Sequence, residues 1–356
     1  MEDNHDRSLV PVPDGSLANT AAGATRILSV MVGEMLALTR REQAAIQFAK
    51  WKIGDYEFCE PDYRQILLWV EALALEPEEV IRRLSRWKWQ QTEFENGKIV
   101  KLNLDLHQLP LTTLQWVENL EIEDLRINSW EEAPTSVLLR FPFLPRLRTL
   151  HCSQFKSDAL DLSPVPALTE LHCDNNQLRK LDLSSVPGLL ELWCHFNQLA
   201  ELNLSDVSEL RELWCGGNKL TELALSSVPE LNYLSCENNQ FTELNLSGVT
   251  KLTCLECQGG KLTQLNLSSV PKLSYLSCEN NQLRELDLSS STELRCLWCG
   301  GNHLVGLDLS SIPDLEFLSC EQNPIDVLDI RPVQSLQTLR YNAALTRLIQ
   351  RSDQHF

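Results

Sequence analysis

Nine of the twelve cysteines in this chain of 356 residues recur at a constant interval of 21 residues. An internal period of this length is typical of a solenoid, in which each repeat forms one coil and contacts only its neighbours. The regular spacing constrains the fold more strongly than any local motif. The nine positions are Cys152, Cys173, Cys194, Cys215, Cys236, Cys257, Cys278, Cys299 and Cys320.

Aligned on the cysteine, the repeat is LxxLxCxxNxLxxLxLSxxPx, as in LTELHCDNNQL (168–178) and LRELWCGGNKL (210–220). These residues resemble the leucine-rich-repeat family, whose signature LxxLxLxxNxL has leucine where this chain has cysteine. The second half of the unit, such as LRKLDLSSV (178–186), is another LxxLxL phrase. The nesting is similar to the short bacterial classes of the family and implies two strand-like segments per coil. The register holds from about Leu147 to Leu336, which is more than half of the chain.

The spacing of the leucines predicts the same architecture on physical grounds. A Leu-x-Leu or Leu-x-Cys segment has strand period, so the apolar residues share one face and the intervening residues share the other. One coil cannot bury its apolar face, but coils stacked at about 4.8 Å bury it against each other. We expect a repeat solenoid of about nine or ten 21-residue coils with a parallel β-sheet face, preceded by a small α-helical N-terminal domain.

Two positions of the repeat are predicted to point inward as structural ladders. The cysteines are expected to be small buried hydrophobes, and the asparagine three residues later is expected to bond backbone groups where the chain leaves the strand. Phe155 and Gly260 replace this asparagine, so the asparagine ladder should be interrupted there. The predicted ladder residues are Cys173, Cys194, Cys215, Cys236, Cys257, Cys278 and Cys299 with Asn176, Asn197, Asn218, Asn239, Asn281 and Asn302.

The cysteines also raise the question of a metal site, because Cys254-x-x-Cys257 and Cys296-x-x-Cys299 are two CxxC pairs. Residues three apart on a strand face opposite sides. The two pairs are also two coils, or about 10 Å, apart, whereas tetrahedral zinc binds sulfur at about 2.3 Å. We therefore expect no metal and no cofactor. Stacked free thiols favour a reducing, cytoplasmic compartment, with delivery as a translocated effector as the alternative.

The charge of the chain disfavours several classes of partner. The formal net charge is −18, from 31 lysines and arginines against 49 aspartates and glutamates. Such a chain is repelled by nucleic acid and by anionic membranes. The apolar run ILSVMVGEMLAL (27–38) is too short to span a bilayer and contains Glu34. The expected partner is a protein or peptide, basic in character, while the oligomeric state is not predicted.

Four outward positions per coil supply the candidate binding surface: three before, one before, one after and two after each ladder cysteine. Over nine coils these 36 positions hold eight acidic and seven aromatic residues but no lysine or arginine. Aromatic residues dominate binding hot spots, and carboxylates would select a basic partner. The predicted partner-binding face comprises Trp193, Trp214, Phe196, Tyr233, Tyr275, Trp298 and Phe317 with Glu170, Glu191, Glu212, Asp174, Glu237 and Glu256.

Three alternatives accompany this interpretation. Strands favour aromatic residues, so the tryptophans could simply cover neighbouring coils. The phrase LSCENNQ at 234–240 recurs 42 residues later, and duplication of a two-coil unit explains it without any functional meaning. The third alternative is a catalytic or metal role for His151, His172 and His195. No nucleophile motif or enclosed pocket accompanies them, so they are expected at the edge of the binding face.

The flanking segments differ from the repeats. Residues 1–22 are predicted to be a disordered tail, 23–95 a helical domain, 96–146 degenerate coils forming a cap, 147–341 the solenoid, and 342–356 a C-terminal cap and tail. Helices are predicted at 39–51, 61–75 and 77–89 from capping signals and amphipathic spacing. The sequence favours a non-enzymatic scaffold, with no catalytic residues. The alternative is an effector or enzyme whose activity lies in 23–95 and whose repeats select the target.

Overall fold

The structure is a computed structural model that describes residues 51–53, 56–58, 60–73, 76–84, 92–95, 98–105, 121–128, 141–354 and 356. The predicted tail at 1–22 and the predicted helical residues 39–50 and 85–89 lie outside the described residues. Within the described part of the chain, no helix has the length and apolar character needed to cross a bilayer.

The segment before the repeats contains strands as well as helices. Strand β1 (Trp51–Ile53) pairs antiparallel with β2 (Tyr56–Phe58), and helices α1 (Glu60–Leu73) and α2 (Pro77–Leu84) follow. The predicted helix over 39–51 is wrong at Trp51, which lies in β1. The cause is visible in WKIGDYEF, where apolar and polar residues alternate around a Gly-Asp turn dipeptide.

Three more strands join the helical segment to the solenoid. Strand β3 (Glu93–Glu95) pairs antiparallel with β4 (Lys98–Asp105), and β4 pairs in parallel with β5 (Asp124–Asn128). Ile99 on β4 is fully buried and shares one continuous apolar core with Ile66 on α1 and Ile81 on α2. Asp62 on α1 accepts a hydrogen bond of 2.5 Å from the Ile99 N–H. The helices therefore pack on the N-terminal end of the stack and shield its apolar interior.

Nine three-residue strands, one per coil, form the body of the parallel sheet. Each precedes its ladder cysteine and pairs with the next strand in register, residue to residue 21 positions later. The strands are β6 (Thr149–His151), β7 (Glu170–His172), β8 (Glu191–Trp193), β9 (Glu212–Trp214), β10 (Tyr233–Ser235), β11 (Cys254–Glu256), β12 (Tyr275–Ser277), β13 (Cys296–Trp298) and β14 (Phe317–Ser319).

The core of each coil is built from the predicted inward residues. The central leucine of every strand from β6 to β14 is fully buried, and the nine ladder cysteines are no more than 3% exposed. The ladder cysteines are free thiols. Burial raises the pKa of each of these thiols, as for Cys194, where it reaches about 12, so they remain protonated at neutral pH, and burial also keeps reagents away from the sulfur atoms.

The asparagine side chains bond the backbone at the corner that follows each strand. Asn239 is 6% exposed, and its Nδ2 donates to the carbonyl oxygens of Cys215 and Cys236 at 3.0 Å each. Its Oδ1 accepts from the Leu220 N–H at 3.0 Å. Each such amide thus links its own coil to the preceding one and satisfies backbone groups that are shielded from water.

The second half of each repeat differs from the two-strand expectation. Between β7 and β14 this half forms turns, although its leucines are buried. A polar residue often fixes the turn by accepting from the N–H two positions later, as Asp182 does from Ser184 at 3.0 Å. Ala224 lacks such an acceptor, and its coil instead forms a 3-10 turn over Leu225–Ser227.

The C-terminal end closes with three further strands. Strand β16 (Thr338–Arg340) extends the main sheet beyond β14, while β15 (Val327–Asp329) pairs in parallel with β17 (Arg347–Ile349). The main sheet therefore has 13 strands, running from β3 to β16 without β15. Gln354 is buried and donates through Nε2 to the carbonyl oxygens of Ile330 and Val333, at 3.0 and 2.7 Å.

Candidate functional site

The outer side of β6–β14, together with the two residues that follow each ladder cysteine, is called the sheet face below. The end residues of these strands are partly exposed, with three exceptions, Ser235, Ser277 and Ser319, which are buried. Parallel pairing in register places equivalent residues of successive coils side by side. The sheet face consequently consists of rows of side chains that run from coil to coil.

Five aromatic rings form a continuous row across the N-terminal half of the sheet face, called the aromatic stack. The ring centroids of His151 and His172 are 4.1 Å apart, and His172 stacks on Trp193 at 4.4 Å. Trp193 lies 4.8 Å from Trp214, which stacks on Tyr233 at 4.3 Å. All five side chains are half-buried, because each ring covers its neighbours. The tryptophans therefore cover the adjacent coils and are also partly exposed to solvent.

A second, smaller group of rings lies near the C-terminal end of the sheet face. Trp298 stacks on Phe317 with centroids 4.1 Å apart. The guanidinium carbon of Arg340 on β16 lies 5.7 Å from the Trp298 ring centroid and 6.0 Å from that of Phe317. The protein thus contains its own arginine held over an aromatic pair on this surface.

Three glutamates stand next to one another beside the aromatic stack and are called the glutamate row. Glu170, Glu191 and Glu212 are direct partners on β7, β8 and β9. His172 Nε2 lies 2.9 Å from Glu170 Oε1, and this contact lowers the pKa of Glu170. Burial, with the charges of Glu212 and Glu170, raises the pKa of the Glu191 carboxyl. Like charges in register on adjacent strands destabilise a sheet, and this cost falls on the central Glu191 rather than on Glu170, which His172 contacts.

Replacing Glu191 with glutamine should raise the free energy of unfolding by about 0.2–1 kcal/mol at neutral pH, because it removes the central like charge. The pKa of Glu191 is raised in the folded state, so the folded chain holds that proton more tightly than the unfolded chain. Its unfavourable contribution therefore appears as pH rises through its titration and vanishes in acid. Urea unfolding of both proteins at neutral and acidic pH measures this difference, with Glu201→Gln, at an exposed position off the sheet face, as the control.

Further carboxylates occupy the middle of the sheet face. The Tyr233 hydroxyl donates to Glu256 Oε1 at 3.1 Å, and burial together with this carboxylate raises the pKa of Tyr233. Ser235 donates to both Glu237 and Glu256. At the N-terminal end Ser153 donates to Asp174 Oδ1 at 2.5 Å. These bonds hold the carboxylates in place on a surface that already carries excess negative charge.

The second residue after each ladder cysteine has a left-handed backbone in every coil from Gln154 to Gln322. Asparagine and glycine fill most of these positions, as expected for residues that tolerate positive φ. Gln154 and Gln322 occupy the two ends of the series, and Phe196 is the one aromatic residue in it, with φ of 52° and a side chain that is 52% exposed. A phenylalanine in this conformation is strained, and strain of this kind concentrates at functional sites.

Successive coils alternate between two types, with a period of 42 residues. This alternation has a packing reason as well as an origin in duplication. A Cβ atom on Gly217 would lie 2.5 Å from the Phe196 ring, and one on Gly259 would lie 2.2 Å from the Asn238 amide. Large residues of one coil therefore lie over glycines of the next. The glycine pairs of alternate coils are visible in the sequence. Their packing role could not be inferred from it, because it depends on the left-handed backbone two residues after the ladder cysteine.

Replacing Phe196 with asparagine should raise the free energy of unfolding by about 0.5–1 kcal/mol, because a left-handed backbone disfavours most side chains by about 1–2 kcal/mol. The variant copies the arrangement of Asn238 over Gly259 on a nearby coil. Thermal or urea unfolding measures the change. The reverse exchange, Asn238→Phe, should lose stability; a loss for Phe196→Asn as well would show that Phe196 is there for packing.

Eleven cysteines lie in the described residues, and only two of them are partly exposed. Cys254 and Cys296 lie on the sheet face, whereas Cys257 and Cys299 are buried, so the members of each CxxC pair face opposite sides. Burial raises the pKa of the Cys254 thiol to about 12. A different group of residues could hold a metal ion: the side-chain donors of His151, Glu170 and His172 lie within 4.8 Å of one another.

The three face histidines lie in an acidic, shielded corner of the sheet face. Burial, with the nearby charges of His172 and Arg126, lowers the pKa of His151 to about 4. His195 Nε2 lies 3.7 Å from Asp174 Oδ2. The sequence prediction of the face covered only the nine regular coils. It therefore missed Arg126 on β5, which pairs with His151, and Arg340 on β16, which pairs with Ser319.

Comparison with solved structures identifies the class of fold. The functional domain of InlJ from Listeria monocytogenes, which includes a cysteine ladder, superposes with a TM-score of 0.61 at 29% identity, over 69% of this chain and 54% of that one. The Leptospira interrogans leucine-rich-repeat protein LIC12759 gives 0.58 at 19% identity, over 73% and 83% of the two chains. The internalin InlF from Listeria monocytogenes gives 0.55 at 18% identity, over 83% and 96%.

No known protein-family profile and no curated protein sequence matches the chain. The present chain spans about half of the InlJ chain that it matches. The solenoid with its 21-residue period and parallel sheet, together with these structural neighbours, nevertheless defines the class. The protein has the leucine-rich-repeat fold, with the repeat spacing of the bacterial type.

Proposed function

We propose that this protein is a non-enzymatic scaffold that binds a basic, arginine-bearing protein segment along its sheet face. The observation that carries the proposal is the glutamate row beside the aromatic stack. The repulsion between Glu191 and its two neighbouring glutamates is unfavourable in the free protein, and a cationic partner would relieve it. The flanking rings would supply the contact area that anchors such a segment.

Charge complementarity supports a basic partner. Residues 152–329 contain 10 lysines and arginines against 25 aspartates and glutamates, so most of the negative charge of the chain belongs to the solenoid. At the positions of the sheet face in its nine regular coils, lysine and arginine are absent. The resulting field would attract a cationic segment and reject an acidic one.

The contact of Arg340 with Trp298 and Phe317 supports arginine over lysine. A guanidinium group is flat and weakly hydrated, so it stacks on aromatic rings and forms paired bonds with carboxylates more readily than an ammonium group does. In the N-terminal half of the sheet face, the exposed edges of Trp193 and Trp214 lie beside Glu191 and Glu212 on the same strands. An arginine from a partner could therefore stack on a tryptophan ring and bond a carboxylate in this half of the sheet face.

Short fluorescein-labelled peptides that differ only in their charged residue test this proposal by fluorescence anisotropy with the full chain. We expect an arginine-serine peptide to bind, a lysine-serine peptide to bind more weakly, and a glutamate-serine peptide not to bind. Binding of all three alike, or of none, would contradict the proposal.

A matched pair of variants separates the site from general charge attraction. Glu191→Gln with Glu212→Gln removes two charges from the sheet face, and Glu201→Gln with Glu222→Gln removes two from exposed positions on the second half of consecutive coils. The first pair should weaken binding of the arginine peptide by about tenfold or more, since charge-assisted hydrogen bonds contribute about 1.5–3 kcal/mol. Equal effects of the two pairs would place the peptide elsewhere.

A further inference from the structure

Two histidines and a glutamate meet at the N-terminal end of the sheet face, on adjacent strands. His172 Nε2 lies 2.9 Å from Glu170 Oε1, and His151 Nε2 lies 3.7 Å from the same oxygen. The donor atoms of the three side chains all fall within 4.8 Å of one another. One oxygen donor and two nitrogen donors therefore lie close enough together to share one ion.

The separations of these donors fit a metal ion of the zinc type. Zinc binds histidine nitrogen and carboxylate oxygen at about 2.0–2.2 Å, so tetrahedral ligands lie about 3.3 Å apart. The distances from Glu170 Oε1 to the two imidazole nitrogens, 2.9 and 3.7 Å, lie on either side of that ligand–ligand separation. Small side-chain rotations would make the triangle regular, because all three side chains begin from neighbouring positions of one sheet.

The surroundings hold these donors in place before any ion binds. The His151 ring is tilted by 49° against His172 with the centroids 4.1 Å apart, and His172 stacks on Trp193, so both imidazole rings are fixed by ring contacts. Both Nε2 atoms are shielded from solvent, and among the described residues His151 Nε2 has no hydrogen-bond partner. A fixed, shielded imidazole nitrogen with no partner is an arrangement that coordination to a metal would complete.

The charges of the neighbourhood also favour a cation. Glu170 supplies one carboxylate. Asp174, on the same coil, supplies a second and lies 3.7 Å from His195 Nε2. The facing arginine, Arg126, lies next to His151 in the sheet, but its guanidinium is paired with Asp124 at 3.3 Å. The local balance around the three donors is therefore negative.

We infer that His151, Glu170 and His172 form a binding site for a divalent transition-metal ion of the zinc type, with three protein ligands and an outer position open to solvent. Nitrogen and oxygen donors of this kind suit zinc, cobalt and nickel rather than calcium or magnesium. The three-ligand geometry leaves the remaining coordination position to water or to a side chain from a bound partner.

Titration of the full chain with cobalt, without any peptide, tests this inference by visible absorption and calorimetry. Wild-type protein should bind one ion and develop the d–d absorption of cobalt held by nitrogen and oxygen donors. His151→Gln and His172→Gln should each weaken binding by at least about tenfold, because even groups one shell removed from a metal have effects of that size. Glu170→Gln, which preserves the shape of the side chain, should weaken it as well.

Two control variants exclude other ligands. His303→Gln changes an exposed histidine away from the three donors, and it should leave affinity unchanged. Cys254→Ser with Cys296→Ser removes the partly exposed thiols and should also leave the spectrum unchanged. Failure of wild type to bind, unchanged affinity in all three ligand variants, or strong sulfur-to-cobalt bands lost with the two thiols would overturn the inference.

Discussion

Replacing Trp193 and Trp214 together with alanine should weaken binding of the arginine-bearing peptide by about 30-fold or more. Tryptophan hot spots contribute at least about 2 kcal/mol each, although their contributions are not additive. These rings form the centre of the aromatic stack, between His172 and Tyr233. Their loss removes the contact surface beside the glutamate row while leaving the carboxylates in place. Fluorescence anisotropy with the labelled peptide measures the change.

Two controls distinguish loss of contact from loss of fold. Phe143→Ala removes an aromatic side chain that is 68% exposed but lies outside the sheet face, and it should not alter binding. Leucine at both tryptophan positions keeps most of the apolar cover over the neighbouring coils and should still bind poorly. If the double alanine variant stays folded and binds the peptide like wild type, the aromatic stack serves only to cover the sheet.

Replacing Asn239 with alanine should lower the free energy of unfolding by about 1–3 kcal/mol, the range for leaving a buried polar group unpaired. The amide bonds the carbonyl oxygens of Cys215 and Cys236 and accepts the N–H of Leu220. All three groups are in the buried corner, where water cannot replace the lost partner. Urea unfolding monitored by circular dichroism measures the difference.

The neighbouring Gln240→Ala provides a matched control, because Gln240 is exposed and its change should stay within about 0.5 kcal/mol. Peptide affinity should be the same in both variants when measured well below the unfolding transition. A melting curve for Asn239→Ala that overlays that of wild type would contradict the structural role of the asparagine ladder.

The repetitive part of the fold could be predicted from the sequence because every coil repeats the same physical constraints. A 21-residue period, leucines at strand spacing and a small residue in the third position leave one arrangement that buries the apolar face. Leu171, Cys173 and Asn176 lie inside the coil for that reason. The segment around Trp51 was harder, since a single copy of a short alternating pattern competes with helical propensity and has no neighbouring repeat to decide between them.

The chemistry of the sheet face was only partly visible in the sequence. Which residues share a row follows from the period, so the glutamate row could be predicted. The left-handed backbone at Phe196 could not, because it depends on how the chain turns after the cysteine. The meeting of His151, Glu170 and His172 also depends on side-chain directions across two strands, which the spacing alone does not determine.

The central claim is that the coils stack with their ladder cysteines inside and the sheet face outside, where a partner can reach it. Native-state alkylation of the thiols, with each modified cysteine identified by mass spectrometry, tests this claim without knowledge of any partner. Among the cysteines that the structure describes, Cys296 should react first in the folded protein, and Cys254 should react more slowly because burial raises the pKa of its thiol to about 12. The nine from Cys152 to Cys320 at 21-residue intervals should react only after denaturation, because they are buried. Modification of a ladder thiol such as Cys215 as fast as Cys296 would contradict the stacking and the sheet face that depends on it.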